Sequence, residues 1–384
     1  MIRWCVALFL LAQSAFAQVA VDPARTAVKD GWWTLEVALG LAAITPYRAF
    51  TLDDPRRLVV DFEGVSFDGL TPGDILSGDR AMAVRFGPLR PGWSRMVVDL
   101  AEPLVITEAG MVTVPDGADL RIVLARATEA EFAAAAGAPP DPGWDVVTGF
   151  DPQAAARLAD SEDFVVVIDP GHGGIDPGAI QGGIKEADLM LIMAAELAVM
   201  LNGLDGVSAV MTRETDTFVP LSARLTFARQ VGADLFLSIH ADALEEDEAR
   251  GATVYTLSAD GGDAAAQRIV ERHERGDLLA GVDLNAASDR VATALMDLAR
   301  AETGPAGRRF ADALVASMRT EGVRLNARPH REGQFAVLTA ADFPSVLIEA
   351  GFLSNAEDRA VLATAEGRAR IARAIRDTVA LMAR

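Results

Sequence analysis

Phe164-Val-Val-Val-Ile168-Asp-Pro-Gly-His172-Gly-Gly-Ile-Asp176-Pro-Gly178 joins an unbroken apolar run to a glycine-rich turn with a histidine at its centre. Consecutive valines in such a run read as a strand buried on both faces, which is the habit of a parallel sheet. In open α/β sheets, ligands bind in the crevice at the carboxyl ends of the strands. His172 therefore stands where a metal or a substrate would be met. On this turn alone, a plain capping role for the ring is equally open.

Downstream of that turn, strands and amphipathic helices alternate, the α/β signature. Leu189, Ile192, Met193, Leu197, Met200 and Leu201 fall at helical spacing. Val207 to Met211 reads as the next strand, Arg224 to Gln230 as helix, and Asp234-Leu-Phe-Leu-Ser-Ile-His240 as a strand that again ends in histidine. Thr253 to Leu257 is a further strand. Phe310, Leu314, Val315 and Met318 mark a helix stopped near Gly322. Phe335 to Leu338 and Ser345-Val-Leu-Ile-Glu349 read as the last two strands, and Arg368 to Met382 as the closing helix. The expectation is a mostly parallel central sheet flanked by helices over residues 163–384. Within it, residues 260–304 form a helical, acidic insertion broken around Gly276 to Asn285, longer than a plain connection and so expected to be functional or mobile.

Upstream, residues 28–127 read as a small all-β sandwich. Arg57-Leu-Val-Val-Asp-Phe62, Arg95-Met-Val-Val-Asp-Leu100 and Leu120-Arg-Ile-Val-Leu124 share one strand texture and are separated by turns such as Thr71-Pro-Gly73. This part holds no histidine, which favours a binding module over an enzyme domain. Residues 128–162, with Gly137-Ala-Pro-Pro-Asp-Pro-Gly143, read as an Ala/Pro-rich linker. Residues 1–17 have the make-up of a cleaved signal peptide: Arg3, an apolar run from Trp4 to Leu11, then Ala15-Phe-Ala17 before Gln18.

The 384-residue chain carries a net charge of −20 and is 51% hydrophobic. Hydrophobicity at that level supports packed cores, while the acidic balance argues against nucleic acid and against anionic lipid. The single cysteine, Cys5, lies inside the leader, so the mature chain has neither disulfide nor thiol chemistry. No later stretch reaches ~18 uninterrupted apolar residues, so no stable membrane insertion is expected.

Four groups converge on the strand ends: His172, His240, Glu349, and Glu186 where the first long helix begins. A catalytic zinc takes three nitrogen or oxygen ligands and keeps one position open. Two histidines and one glutamate fill that need without cysteine, and a fourth carboxylate can serve as general base. Glu349 is the candidate base, because an acid ending the apolar run Val346-Leu-Ile348 is costly unless used, or unless paired with a cation such as Arg331 or Arg359. Asp169 and Asp242 are candidates for orienting the histidines, with solvated loop acid as the plainer reading of Asp242.

Asp169-Pro-Gly-His-Gly-Gly174, Lys185-Glu-Ala-Asp188, Met211-Thr-Arg213 with Asp216 and Arg224, Ser238-Ile-His-Ala-Asp242 and Glu349-Ala-Gly-Phe-Leu-Ser-Asn355 together resemble the zinc-dependent N-acetylmuramoyl-L-alanine amidases. The resemblance covers Phe164 to Arg384. It implies that His172, Glu186 and His240 hold Zn2+, that Glu349 is the catalytic acid, and that the substrate is peptidoglycan, cut between N-acetylmuramic acid and L-alanine. Tyr47-Arg-Ala-Phe-Thr-Leu-Asp53, Pro55-Arg-Arg-Leu-Val-Val-Asp61 and Phe86-Gly-Pro-Leu-Arg90 are similar to the AMIN domain found ahead of such enzymes, which implies wall binding and targeting to the division site. Ala266-Gln-Arg-Ile-Val-Glu271-Arg-His273-Glu274 is similar to the regulatory insertion of the division-associated members. There an acidic side chain blocks the open zinc position until an activator protein of the division machinery relieves it. At the matching position this chain has His273, with Glu271 and Glu274 beside it. The expectation is a periplasmic, autoinhibited amidase. The alternatives are a zinc peptidase cutting elsewhere in the stem peptide and a catalytically silent wall-binding scaffold.

Overall fold

The computed structural model describes residues 18–90, 92–138, 158–159, 161–244, 249–258, 264–279 and 290–383. The expected leader at 1–17, most of the expected linker at 128–162 and parts of the expected insertion at 260–304 lie outside the described residues. Among the described residues, no helix is long and apolar enough to cross a membrane.

The N-terminal part is a two-sheet sandwich. One sheet runs β5 (Val65–Ser66), β1 (Val19–Asp30), β2 (Thr34–Leu41), β10 (Gly117–Arg126), β9 (Leu104–Val114), with β6 (Leu76–Ser77) also beside β1. The other runs β3 (Tyr47–Leu52), β4 (Arg57–Glu63), β8 (Trp93–Leu100), β7 (Ala81–Arg90). Alternation decides which side chains meet: Leu35, Val37, Leu39 and Leu41 from one sheet face Leu58, Val60, Phe62, Met96 and Val98 from the other in a single core. The helix α1 (Pro72–Ile75) closes a corner of it. The stretch read as linker from residue 128 opens with α2 (Glu129–Ala135), capped reciprocally by Thr128 and Glu131, and its Phe132 is fully buried in the same core.

On the outer face of β4, Asp61 is buried between two arginines. Arg48 Nε donates at 2.8 Å and Arg95 Nη2 at 2.9 Å to its Oδ2. Burial alone would raise this carboxyl; Arg95 and then Arg48 outweigh it and hold the pKa below the usual value.

From residue 164 the chain is α/β. The sheet order is β14 (Val207–Met211), β11 (Phe164–Pro170), β15 (Leu235–His240), β18 (Ser345–Glu349), β16 (Ala252–Leu257), β17 (Leu325–Gly333). The first four strands are mutually parallel, β16 runs antiparallel to β18, and β17 is parallel to β16. The valine run of β11 is buried on both faces. Val166 and Ile168 pack with Met190, Met193 and Leu197 of α3 (Glu186–Leu201), Phe310 and Leu314 of α6 (Arg290–Thr320), and Ile371 and Ile375 of α8 (Ala365–Met382). Val165 and Val167 face the opposite layer, with Phe227 of α4 (Leu221–Gln230) and Ile269 of α5 (Ala264–Leu279).

Phe335 to Leu338 is not a strand. The edge strand is β17, and residues Ala336–Leu338 form one 3-10 turn that folds Phe335, Val337 and Leu338 into the second core. A four-residue apolar run carries too little periodicity to tell a strand from a buried turn. The helical break expected from Gly276 also starts later, since α5 continues to Leu279. The short helix α7 (Ala356–Leu362) follows the last strand.

The sandwich and the α/β unit touch beside the turn of His172: Val97 of β8 packs with Ile175 and Phe218, and a Cβ added at Gly87 of β7 would lie 3.2 Å from the Ile175 Cα.

Removing one partner of a buried ion pair leaves the others uncompensated, at a cost of about 3–5 kcal/mol. Asp61→Ala should therefore destabilise the sandwich by that amount at pH 7, read by urea unfolding. Because the folded pKa lies below the unfolded one of about 3.9, the contribution is complete above that pH and drains away as pH falls through the folded value. The gap between variant and parent should narrow in acid. A gap under about 1 kcal/mol at pH 7, the scale of an exposed pair, would contradict this account.

Candidate functional site

Strand register brings the site together. His240 is paired with Glu349 at the ends of β15 and β18, and Asp169 on β11 is paired with Ser238 on β15. The chain leaves β11 through Gly171, where an added Cβ would lie 2.2 Å from the His240 ring, so only glycine allows this approach. His172 follows with φ of 60°, a left-handed conformation that is uncommon outside glycine and that turns its ring back over the strand ends.

Glu186 is the first residue of α3 and is wholly inaccessible to solvent. Its Oε2 accepts the Ala179 N–H at 2.8 Å and its Oε1 the Ala241 N–H at 2.9 Å. That same Oε1 stands 3.2 Å from His172 Nε2 and 3.3 Å from His240 Nδ1. Around a tetrahedral ion with bonds of about 2.0–2.1 Å, neighbouring ligands are separated by roughly 3.3 Å. The His172 Nε2 is buried and makes no hydrogen bond of ordinary geometry, so it is left for another partner. On the ring's other side, Nδ1 meets Asp176 Oδ2 at 2.8 Å, which fixes the tautomer that frees Nε2. His172, His240 and His273 form a buried group whose ligand atoms lie within 4.8 Å of one another, able to hold a metal ion.

The charges fit a cation. Burial would neutralise Glu186, yet His172 and then His240 outweigh it and keep the carboxylate ionised well below the ordinary range. Burial likewise opposes charge on His172, but Asp176 and Glu186 raise its pKa well above normal, so a metal taken up at Nε2 would displace a proton from the ring. His240 is pushed down to about 4, first by burial and then by His273 and His172, and so stays neutral and able to ligate. Burial pushes the Glu349 carboxyl up to about 7, with Glu186 adding to the rise, the range suited to proton transfer near neutrality. Glu349 is fully buried, and its Oε2 accepts the Asp242 N–H at 3.1 Å.

His273 reaches the same place from α5. Ala266, Ile269 and Val270 are buried at helical spacing, and His273 shares their face. Its ring stacks on His240 with centroids 3.9 Å apart, and its Nε2 is 3.2 Å from Glu349 Oε1. Glu271 points away and is exposed; the side chain of Glu274 lies outside the described residues. His330 is elsewhere, between Asp312 at 2.8 Å and Thr256 at 3.0 Å.

Two expectations about orienting acids change. Asp169 touches no histidine; it accepts from Thr212, Ser238 and Arg224. Asp242 is buried, not solvated, and its Oδ1 accepts the Ala243 N–H. The acid on His172 is Asp176, four residues along a turn closed by the Gly173 N–H to Asp176 O bond of 2.8 Å. An acid at that distance across a glycine-rich turn was the available signal for it.

Residues 166–380 match the family model described as N-acetylmuramoyl-L-alanine amidase. The chain is 32% identical to the N-acetylmuramoyl-L-alanine amidase AmiC of Neisseria meningitidis over 387 residues, covering 94% of this chain and 90% of that one. It is 38% identical to AmiA of Escherichia coli over 217 residues, 56% of this chain and 74% of that one. Among solved structures, AmiC2 of Nostoc punctiforme matches 57% of this chain and 96% of its own at 27% identity, with a TM-score of 0.42.

Losing the carboxylate that orients a ligating histidine typically costs 10–100-fold in metal affinity. Asp176→Asn should show that loss in a competition titration against a chromogenic chelator. Affinity equal to the parent would remove Asp176 from the site.

Proposed function

Because this chain belongs to the N-acetylmuramoyl-L-alanine amidase family, we propose that it is a zinc-dependent peptidoglycan hydrolase whose metal is held by His172, Glu186 and His240. The observation that carries the reading is the single Glu186 oxygen set 3.2 and 3.3 Å from two imidazole nitrogens in a fully buried place. The amide cut is the one between the lactyl group of N-acetylmuramic acid and L-alanine of the stem peptide.

Zinc at that position supplies a Lewis acid for the scissile carbonyl and makes water a nucleophile at neutral pH. Glu349 takes the proton from the attacking water and delivers it to the alanine nitrogen as the C–N bond breaks. Burial, which raises this carboxyl above the usual range, suits it to hold the proton between the two steps. The apolar side chains of Phe218, Leu221 and Phe335 line the cavity and help keep bulk water from the reacting groups.

The resting state on this reading is closed. His273 occupies the space over His240 and Glu349 that a substrate carbonyl needs. A histidine is a metal ligand in its own right, so the exchange from the family's usual acid preserves the blocking role. Opening requires α5 to leave, and with it the burial of Ala266, Ile269 and Val270. An activator protein of the division machinery is the proposed trigger. The leader at 1–17 supports a periplasmic location, and the AMIN-like sandwich a role in holding the enzyme to septal peptidoglycan during daughter-cell separation.

Digestion of purified sacculi followed by mass spectrometry tests the bond: stem peptides must appear with free L-alanine amino groups. Cleavage elsewhere in the peptide would transfer the chain to a peptidase reading. Glu349→Gln should retain zinc while activity drops about 10²–10⁴-fold, the usual worth of a general acid–base group. His273→Ala should raise basal activity roughly tenfold or more, as expected where the open state is a minor one of about 10% or less. Unchanged basal turnover in a folded His273→Ala protein would count against autoinhibition.

A further inference from the structure

The turn that carries His172 has one side in the site and the other on two buried arginines. Arg224 Nη1 donates to Asp169 Oδ1 at 2.8 Å and to the Pro170 carbonyl at 2.9 Å, and its Nη2 to the His172 carbonyl at 3.0 Å. Arg213 Nε donates to the Pro170 carbonyl at 3.0 Å, and its Nη2 to the carbonyls of Gly171 and Ala187, each at 2.8 Å. The carbonyls of residues 170, 171 and 172 therefore all end on guanidinium groups.

These bonds tie together the segments that bear the three proposed ligands. Arg213 joins the residue before His172 to the residue after Glu186. Asp169, held by Arg224, accepts the Ser238 hydroxyl at 2.8 Å, two residues before His240. A buried guanidinium is costly to desolvate, and a fixed fork of donors is its compensating property. Two of them, Arg224 paired with the buried Asp169 and Arg213 bonded to carbonyls alone, make sense where backbone geometry must be held closely. His172 at φ of 60° is such a backbone.

We propose that Arg213 and Arg224 are positioning residues that set the mutual distances of His172, Glu186 and His240 and thereby the metal affinity of the site. This rests on the ligand reading given above. Lysine keeps the charge but offers one nitrogen, which cannot serve carbonyls on two segments at once.

The test is zinc affinity of the full chain by chelator competition, together with melting temperature. Arg213→Lys and Arg224→Lys should each weaken zinc binding about 10–100-fold. Ser238→Ala, which removes only the hydroxyl bond to Asp169 and suits a small buried position, should weaken it severalfold and keeps the test alive if a lysine variant fails to fold. Arg368→Met is the control: Arg368 is also buried and donates to Glu196 at 2.7 and 2.8 Å, but between α8 and α3 and away from the site. It should lower the melting temperature and leave zinc affinity unchanged. Parent-like affinity in the lysine variants and in Ser238→Ala overturns the inference alone, as does an equal loss in Arg368→Met. Failure of the parent chain to bind zinc overturns the ligand reading and this inference with it.

Discussion

A carboxylate with no access to solvent is the constraint from which the rest of the α/β unit follows. Stripped of water, Glu186 retains its charge only if donors and cations replace the lost hydration. It has two backbone N–H groups, from Ala179 and Ala241, two imidazoles, and the positive end of α3. Supplying those partners demands that β15 end at His240 beside the start of α3. It also demands that the turn after β11 fold His172 back over the sheet. On the proposed ligand reading, a metal ion at this place would meet the same electrostatic demand.

Most of this was legible because burial on both faces of a parallel sheet writes itself as runs such as Phe164 to Ile168, and because ligands gather where such runs end. His172, His240 and Glu349 stand at the ends of such runs, Glu186 at the start of the first long helix, and the four meet in one place. Edge strands write no such signal. Leu325-Asn-Ala-Arg-Pro-His-Arg-Glu-Gly333 has neither an apolar run nor alternation, and Pro329 within it is tolerated because, among the described residues, β17 pairs with β16 alone. The acids around the histidines were not separable by sequence, since Asp169, Asp176 and Asp242 all sit near the same turns. Which of them meets a ring depends on how the turn closes, and Gly173 pairing with Asp176 brings Asp176, an acid not among the expected ones, to His172.

The insertion shows a different limit. Ala266, Ile269, Val270 and His273 follow helical spacing, so the face His273 shares with three apolar residues was open to reading. That face also separates His273 from Glu271, whose position two residues earlier turns it to solvent. What spacing cannot supply is the surface against which the face packs. Tyr255, Phe335 and Val337 provide it, and they come from separate parts of the chain. The apolar face of α5 and the polar site are therefore covered by one element, and neither can be uncovered without the other.

A histidine in the left-handed region persists only where its surroundings over-determine it. Around His172 that condition is met from three directions. Arg213 and Arg224 hold the carbonyls beneath it, Asp176 holds Nδ1, and the sandwich presses on the same turn through Val97 and Gly87 against Ile175. Ile175 lies between His172 and Asp176 in sequence, so the contact with β7 and β8 bears on the segment whose closure orients the ring. The N-terminal sheets thus pack directly against the turn that carries His172.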